Sequence, residues 1–244
     1  MQNHFRDRTD AGVQLARSLQ RYLHCPGLVI LALPRGGVPV AFEVARALHA
    51  PLDVLVARKL GAPLDPELAI GAIAPRGVLY LNHSVLRGMR ISQAELSADI
   101  ERARKELVHR ETLYRGGRQA LDLKGKVVIV VDDGLATGSS MHAALESVRA
   151  AEPARMVVAV PVARAGAAES FAGESDDFVC LLQPDSLYSI GRHYVDFTQV
   201  SDATVCELMD LAYRSGAAAD SAASNASTPS SGGSGAAGLR GSER

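Results

Sequence analysis

Three things are scarce in this sequence, and each scarcity excludes a class of protein. Charge of one sign is the first: 26 lysines and arginines stand against 27 aspartates and glutamates over 244 residues, a net charge of -1. That balance provides no long-range field to recruit nucleic acid or an anionic membrane, so any anion must be held locally. Paired cysteine is the second. Cys25, Cys180 and Cys206 lie far apart with no C-x-x-C spacing, which fits neither a disulfide framework nor a thiolate metal cage and leaves all three as structural or neutral residues. The third is a long apolar run. Nothing approaches the ~18 apolar residues of a membrane helix, and the opening from Met1 to Arg8 is polar and charged, with no signal-peptide core behind it. A cytoplasmic location is the expectation.

What is present is an ordinary globular composition, 47% hydrophobic and 22% charged, enough for one substantial α/β domain. From Ser215 onward alanine, serine and glycine dominate and Leu239 is the only large aliphatic residue. Such a segment cannot bury enough surface to offset its ordering entropy, so 215–244 is expected to be a disordered tail and 1–214 the domain. Within the domain, apolar runs suited to buried strands alternate with helical patterns, which predicts a mainly parallel sheet with helices on both faces.

The spacing of Val13, Ala16, Leu19 and Leu23 predicts a first helix over Asp10 to Leu23, followed by a strand from Leu28 to Leu33 and a helix from Val40 to Leu48. A second strand, Leu52 to Ala57, ends in Arg58-Lys59. Beyond it lies a region rich in glycine and proline, Gly61 to Asn82, in which Leu68 to Ile73 and Val78 to Leu81 can pair across a Pro75-Arg76-Gly77 turn. Ser92 reads as the N-cap of a long helix reaching Tyr114, with Glu95 completing a capping box and Ile91 stapling onto Leu96. Its stripe is Leu96, Ile100, Ala103, Leu107 and Tyr114. The strongest strand signal follows at Val127 to Val131, then a helix from Ser139 to Ala151, strands Arg155 to Val160 and Phe178 to Leu182, and a last helix from Asp202 to Tyr213.

The chemistry concentrates where the strongest strand ends. Asp132 and Asp133 stand at its carboxyl terminus, followed by Gly134-Leu135-Ala136-Thr137-Gly138-Ser139-Ser140. In open α/β sheets the ligand crevice lies at the carboxyl ends of strands. A helix start rich in Thr, Gly and Ser offers free N–H donors, hydroxyls and a positive dipole end, which suit a phosphate dianion. Paired carboxylates accept hydrogen bonds from vicinal hydroxyls, so a 5-phosphoribose matches the arrangement at both ends. A plainer reading makes Asp132-Asp133 a turn and Thr137 or Ser139 a structural helix cap.

Four apolar residues, two acids and Ala-Thr-Gly-Ser at this spacing resemble the phosphoribosyl-pyrophosphate (PRPP) signature of type I phosphoribosyltransferases, and Asp-Asp-x-Leu-Ala-Thr-Gly-x-x-Met looks closest to adenine phosphoribosyltransferases. The resemblance spans about Pro34 to Asp196. It implies a type I phosphoribosyltransferase-like α/β fold, a parallel sheet flanked by helices, with a flexible loop and a small C-terminal hood over about 183–201. It assigns Ala136, Thr137, Gly138, Ser139 and Ser140 to the 5-phosphate, and Arg35, Gly36, Gly37, Arg58 and Lys59 to pyrophosphate. Asp132 and Asp133 would hold the ribose hydroxyls and Mg2+, the latter in part through water. Glu67 in the loop is a candidate general base, and Tyr194 and Phe197 in the hood are candidates to stack on the acceptor. The implied partners are PRPP and a small nitrogenous acceptor, a homodimer being the one protein partner considered, with no nucleic acid or membrane.

Two departures narrow the acceptor. Ala136 stands where hypoxanthine-guanine enzymes usually carry an aspartate, which argues against 6-oxopurines, and Gly61 to Arg118 matches the lid of no single substrate class. A non-catalytic PRPP or nucleotide-binding regulator of the same fold is the alternative. A phosphoacceptor signalling domain is the weaker rival, because it wants its acidic pair near the first strand.

Overall fold

The computed structural model describes residues 4–62, 65–87 and 93–226. Its centre is a five-stranded parallel sheet in the order β2-β1-β6-β7-β8, formed by β1 (Leu28–Ala32), β2 (Leu52–Val54), β6 (Val127–Val131), β7 (Arg155–Val162) and β8 (Asp177–Leu182). Alternate residues of β6 enter two separate cores. Ile129 and Val131 join one, with α1 (Arg8–Ser18), α2 (Gly37–Leu48), α4 (Gln93–Arg115) and α7 (Asp202–Ala226); Val128 and Val130 join the other, with α5 (Ser139–Arg149). A strand buried on both faces must be apolar throughout, which is why the run Val127 to Val131 is so pronounced. The expected strand and the observed one coincide there.

Three stretches differ from expectation. The second strand stops at Val54 rather than Ala57, and Arg58 and Lys59 open a separate strand, β3 (Arg58–Ala62), which pairs antiparallel with β4 (Asp65–Ile73), itself paired with β5 (Leu79–Leu81). The reason is local: Arg115 Nη2 donates to the Val54 carbonyl at 2.8 Å and its Nε to the Asp53 carboxylate at 3.0 Å, closing that edge of the parallel sheet. The stretch from Arg58 to Leu81 is thus a three-stranded antiparallel sheet, and the expected pairing across Pro75–Gly77 is present within it. It packs on α5 through Ala72, Ala74 and Ala143.

The last helix continues through the expected tail boundary at Ser215 to Ala226. Val205 and Met209 anchor it in the core, and the alanines beyond have the best helix propensity, so a helix begun by packing propagates through them. The long helix begins at Gln93 and ends at Arg115, with Ala103, Leu107 and Tyr114 of the expected stripe buried. Its proposed cap, Ser92 with Ile91, lies outside the described residues, as does 227–244. Among the described residues no helix is long and apolar enough to cross a membrane.

Candidate active site

The strand order 2-1-6-7-8 reverses direction between β1 and β6, and the crevice of an open parallel sheet lies at such a switch point, beyond the carboxyl ends of the two strands. Two loops emerge there. The first, Pro34-Arg35-Gly36-Gly37, leads from β1 into α2 and contains a cis Pro34–Arg35 peptide. The second, from Asp132 to Gly138, leads from β6 into α5.

The loops are pressed together closely enough to dictate glycine. A Cβ on Gly36 would overlap Asp133 Oδ2 and lie 2.6 Å from its Cγ, and one on Gly37 would lie 2.8 Å from the Val131 carbonyl and 3.1 Å from Asp132 Oδ1. Any side chain at these positions would displace the acidic pair. Asp132 Oδ1 also accepts from the Asp133 backbone N–H at 2.8 Å. Burial, then the neighbouring Asp133 charge, pushes the Asp132 carboxyl well above the usual carboxylate range. Burial also raises that of Asp133, against the opposing pull of the Arg8 guanidinium.

Past the acidic pair, Gly134 lies against Ile190 and Val162, Leu135 is buried, and Ala136 and Thr137 are exposed. Gly138 adopts a left-handed φ of 74° and starts α5 with no side-chain cap among the described residues, while the Ser139 hydroxyl is buried 3.3 Å from that of Thr137. The first turn of α5 therefore keeps its donor N–H groups free of a capping side chain, as an anion site needs.

The predicted cations sit differently. Arg35 Nη1 lies 3.8 Å from Asp202 Oδ1, and that oxygen accepts the Tyr114 hydroxyl at 2.5 Å. Arg58 lies in the antiparallel sheet, 2.8 Å from Glu106, which also pairs with Arg110 at 2.9 Å. Each predicted arginine therefore has a carboxylate partner on α4 or α7. Lys59 falls in β3 and Glu67 in β4; their side chains lie outside the described residues.

The hood aromatics are engaged in packing. Tyr194 is buried between Phe5 and Phe197, with ring centroids 5.3 and 5.0 Å away, and its hydroxyl donates to the Asp133 carbonyl at 2.7 Å. Phe197 carries the Arg8 guanidinium 3.9 Å from its ring centroid. Burial pushes the Cys180 thiol up to about 11, which removes it as a thiolate nucleophile near neutral pH, and all three cysteines are free.

Sequence reasoning missed Arg8 and His142. Arg8 Nε donates to Asp133 Oδ2 at 2.7 Å. His142, in the first turn of α5, is stacked between Tyr80 of β5 and Phe171, with Nδ1 2.8 Å from Glu174. Neither residue stands in the acidic motif itself, and both are recruited through partners distant in sequence.

Fold and crevice together define an α/β protein of flavodoxin-like strand order, with an acidic pair and a glycine loop facing each other at its switch point. Residues 11–184 match the phosphoribosyl transferase domain model, and the chain belongs to the type I phosphoribosyltransferase family. It is 46% identical over 215 residues, 88% of its length, to the Mycobacterium tuberculosis H37Rv protein named "Putative phosphoribosyl transferase Rv0571c", and equally so to its counterpart from strain CDC 1551. The chain spans about half the length of these curated relatives, 48%. The crystal structure of TT1426 from Thermus thermophilus superposes with a TM-score of 0.71 at 43% identity, covering 84% of this chain and 97% of that one.

Proposed function

We propose that the protein transfers 5-phosphoribose from PRPP to a nitrogen acceptor, probed first among nucleobases, and releases pyrophosphate. The observation that carries this reading is the packing of Gly36 and Gly37 against Asp133 and Asp132: it brings a loop suited to pyrophosphate against carboxylates suited to ribose hydroxyls. The α5 turn, with Thr137 and Ser139, supplies N–H and hydroxyl donors for the 5-phosphate. Held at both ends, the sugar keeps C1 in line between leaving group and acceptor, and this orientation is a large part of the rate enhancement.

As the C1–oxygen bond breaks, negative charge passes to pyrophosphate, where the N–H groups of Arg35 and Gly36 and the guanidinium of Arg35 stabilise it, the Gly37 N–H being given to the Leu33 carbonyl at 3.0 Å. The electron pair of the acceptor nitrogen then forms the new bond to C1, and the acceptor's proton departs to solvent or to a base such as Glu67 of β4. Asp132 and Asp133 face the positive charge that develops on the ring. Among the described residues no cluster of three or more His, Cys, Asp or Glu side chains could cage a metal. Two adjacent carboxylates do fit Mg2+, which keeps several waters and is held by one or two carboxylates together with substrate oxygens. When bound, Mg2+ would neutralise charge on the departing pyrophosphate.

One observation favours a second reading, a non-catalytic PRPP-binding regulator: Arg35 and Arg58 both already face carboxylates, Asp202 and Glu106. Incubation with PRPP, Mg2+ and a panel of nucleobases separates the two. Pyrophosphate release with one base supports transfer; tight PRPP binding with no release from any base supports the regulator. Replacing Asp132 and Asp133 together by Asn is expected to weaken PRPP binding by about 100-fold in calorimetry with the fold intact by circular dichroism. Unchanged affinity would defeat both readings.

A further inference from the structure

Before α1 the chain runs along the hood. The Phe5 N–H donates to the His193 carbonyl, and the N–H groups of Val195 and Asp196 donate to the carbonyls of Phe5 and Arg6, each at 2.8 Å. Asp7 then caps α1 by accepting the Asp10 N–H at 2.7 Å, which places Arg8 at the first helical position. From there its guanidinium makes three contacts in different directions: Nε to Asp133 Oδ2 at 2.7 Å, Nη1 to the Thr198 carbonyl at 2.8 Å, and its flat face to the Phe197 ring at 3.9 Å. The side chains of Arg8 and Asp133 keep only 10% and 13% of their surface exposed, against 27% for Arg35 and 40% for Arg58.

A buried ion pair of this kind is a poor source of net stability, because desolvating both charges offsets most of their attraction. What it does provide is geometry. Held in place by Thr198 and Phe197, the planar guanidinium aims a single N–H at Oδ2 along a fixed direction that a flexible ammonium would not keep. Oδ2, the oxygen that Arg8 takes, is the one against which Gly36 is packed, so the carboxylate is clamped between helix and loop with Oδ1 left unengaged by Arg8. Arg8 precedes the family match at residues 11–184, and its partners Phe197 and Thr198 follow it.

Resting on the PRPP-binding reading above, we propose that Arg8 is a positioning residue for the sugar site: it fixes Asp133 so that the carboxylate oxygen it leaves unengaged meets a ribose hydroxyl, with its own guanidinium held by Thr198 and Phe197 of the hood. The role runs through Asp133, so removing Arg8 should cost nothing further once Asp133 is gone.

Calorimetric titration of PRPP with Mg2+ into the full chain tests this with five variants. Arg8→Gln is expected to weaken binding about 10-fold or more, and Arg8→Lys to recover part of that loss. Asp133→Asn and the double variant Arg8→Gln/Asp133→Asn are expected to bind equally weakly, because the two residues act as one unit. Arg6→Gln, which removes the same charge from a side chain 79% exposed, is expected to bind as the wild type does. Should Arg8→Gln fail to fold by thermal melting, Arg8→Lys and the double variant, in which no carboxylate is stranded, carry the comparison. Wild-type affinity in Arg8→Gln, or losses that multiply in the double variant, would overturn the inference while leaving the PRPP reading in place; absence of binding by the wild type would overturn that reading itself.

Discussion

The parallel and the antiparallel sheet differ in what makes them strands. In β6, Val128, Ile129, Val130 and Val131 are all fully buried, and the strand is legible as an unbroken branched apolar run between two helical layers. In the antiparallel sheet, Leu79, Tyr80 and Leu81 are half-buried, and the fully buried positions Ile70 and Ala72 are separated by Gly71. That sheet is shaped by its neighbours: Leu60, Ile70 and Ile73 join the core that holds Ala103 and Leu107 of α4, while the Ser147 hydroxyl of α5 donates to the Pro75 carbonyl at 3.1 Å. A strand with a complete apolar pattern specifies its own burial. A strand of small residues becomes one where helices give it a surface to lie on.

The contrast can be broken or sharpened experimentally. The largest effect is expected from Ile129→Ala, at the centre of the parallel sheet, with a loss of about 3–4 kcal/mol of global stability in urea denaturation. Gly71→Ala comes next. A Cβ there would overlap the Tyr80 carbonyl oxygen and meet Leu81 Cδ2 at 3.0 Å, so a loss of about 1–3 kcal/mol is expected, read as faster hydrogen exchange in β3 to β5 with β6 unchanged. Equal loss of protection in β6 would show the two sheets to be one cooperative unit. Ser147→Ala should cost about 1 kcal/mol and loosen Pro75 to Leu81 selectively.

The smallest effect should come at the far edge of the parallel sheet. Burial alone would raise the Asp177 carboxyl, but hydrogen bonds from the Tyr22 hydroxyl and the Arg21 guanidinium, both at 2.5 Å, outweigh it and hold the group below the usual carboxylate range. A depressed folded-state value stabilises above the ordinary carboxylate pKa of about 3.9 and loses that contribution as pH falls through the lower folded value. Asp177→Asn should therefore lower the melting temperature slightly at pH 7 and differ less from the wild type near pH 2.

Legibility followed the range of the interaction. Asp132 and Asp133 were readable because the strand before them and the helix after them are local signals on either side. The partnership of Gly36 and Gly37 with that pair was readable only as two loops expected at one sheet edge; the close approach of Asp133 that makes glycine necessary at Gly36 belongs to the assembled fold. Arg58 and Lys59 were attached to the wrong strand because an apolar run shows that a strand is forming without showing which sheet receives it. The helix past Ser215 was missed because composition registers the missing core and not the propagation of a helix already nucleated.

By itself the sequence determined the parallel α/β architecture, the strand that presents the acidic pair, and the glycine and hydroxyl-rich turns beside it, since backbone propensity and burial periodicity act over a few neighbouring residues. Tertiary structure alone decided that Arg8 meets Asp133 across 125 positions of chain, that Arg35 and Arg58 face Asp202 and Glu106, and that Tyr194 and Phe197 pack inward. Those contacts depend on how whole elements dock, and a pairing between docked elements leaves no periodicity in either partner's own stretch of chain.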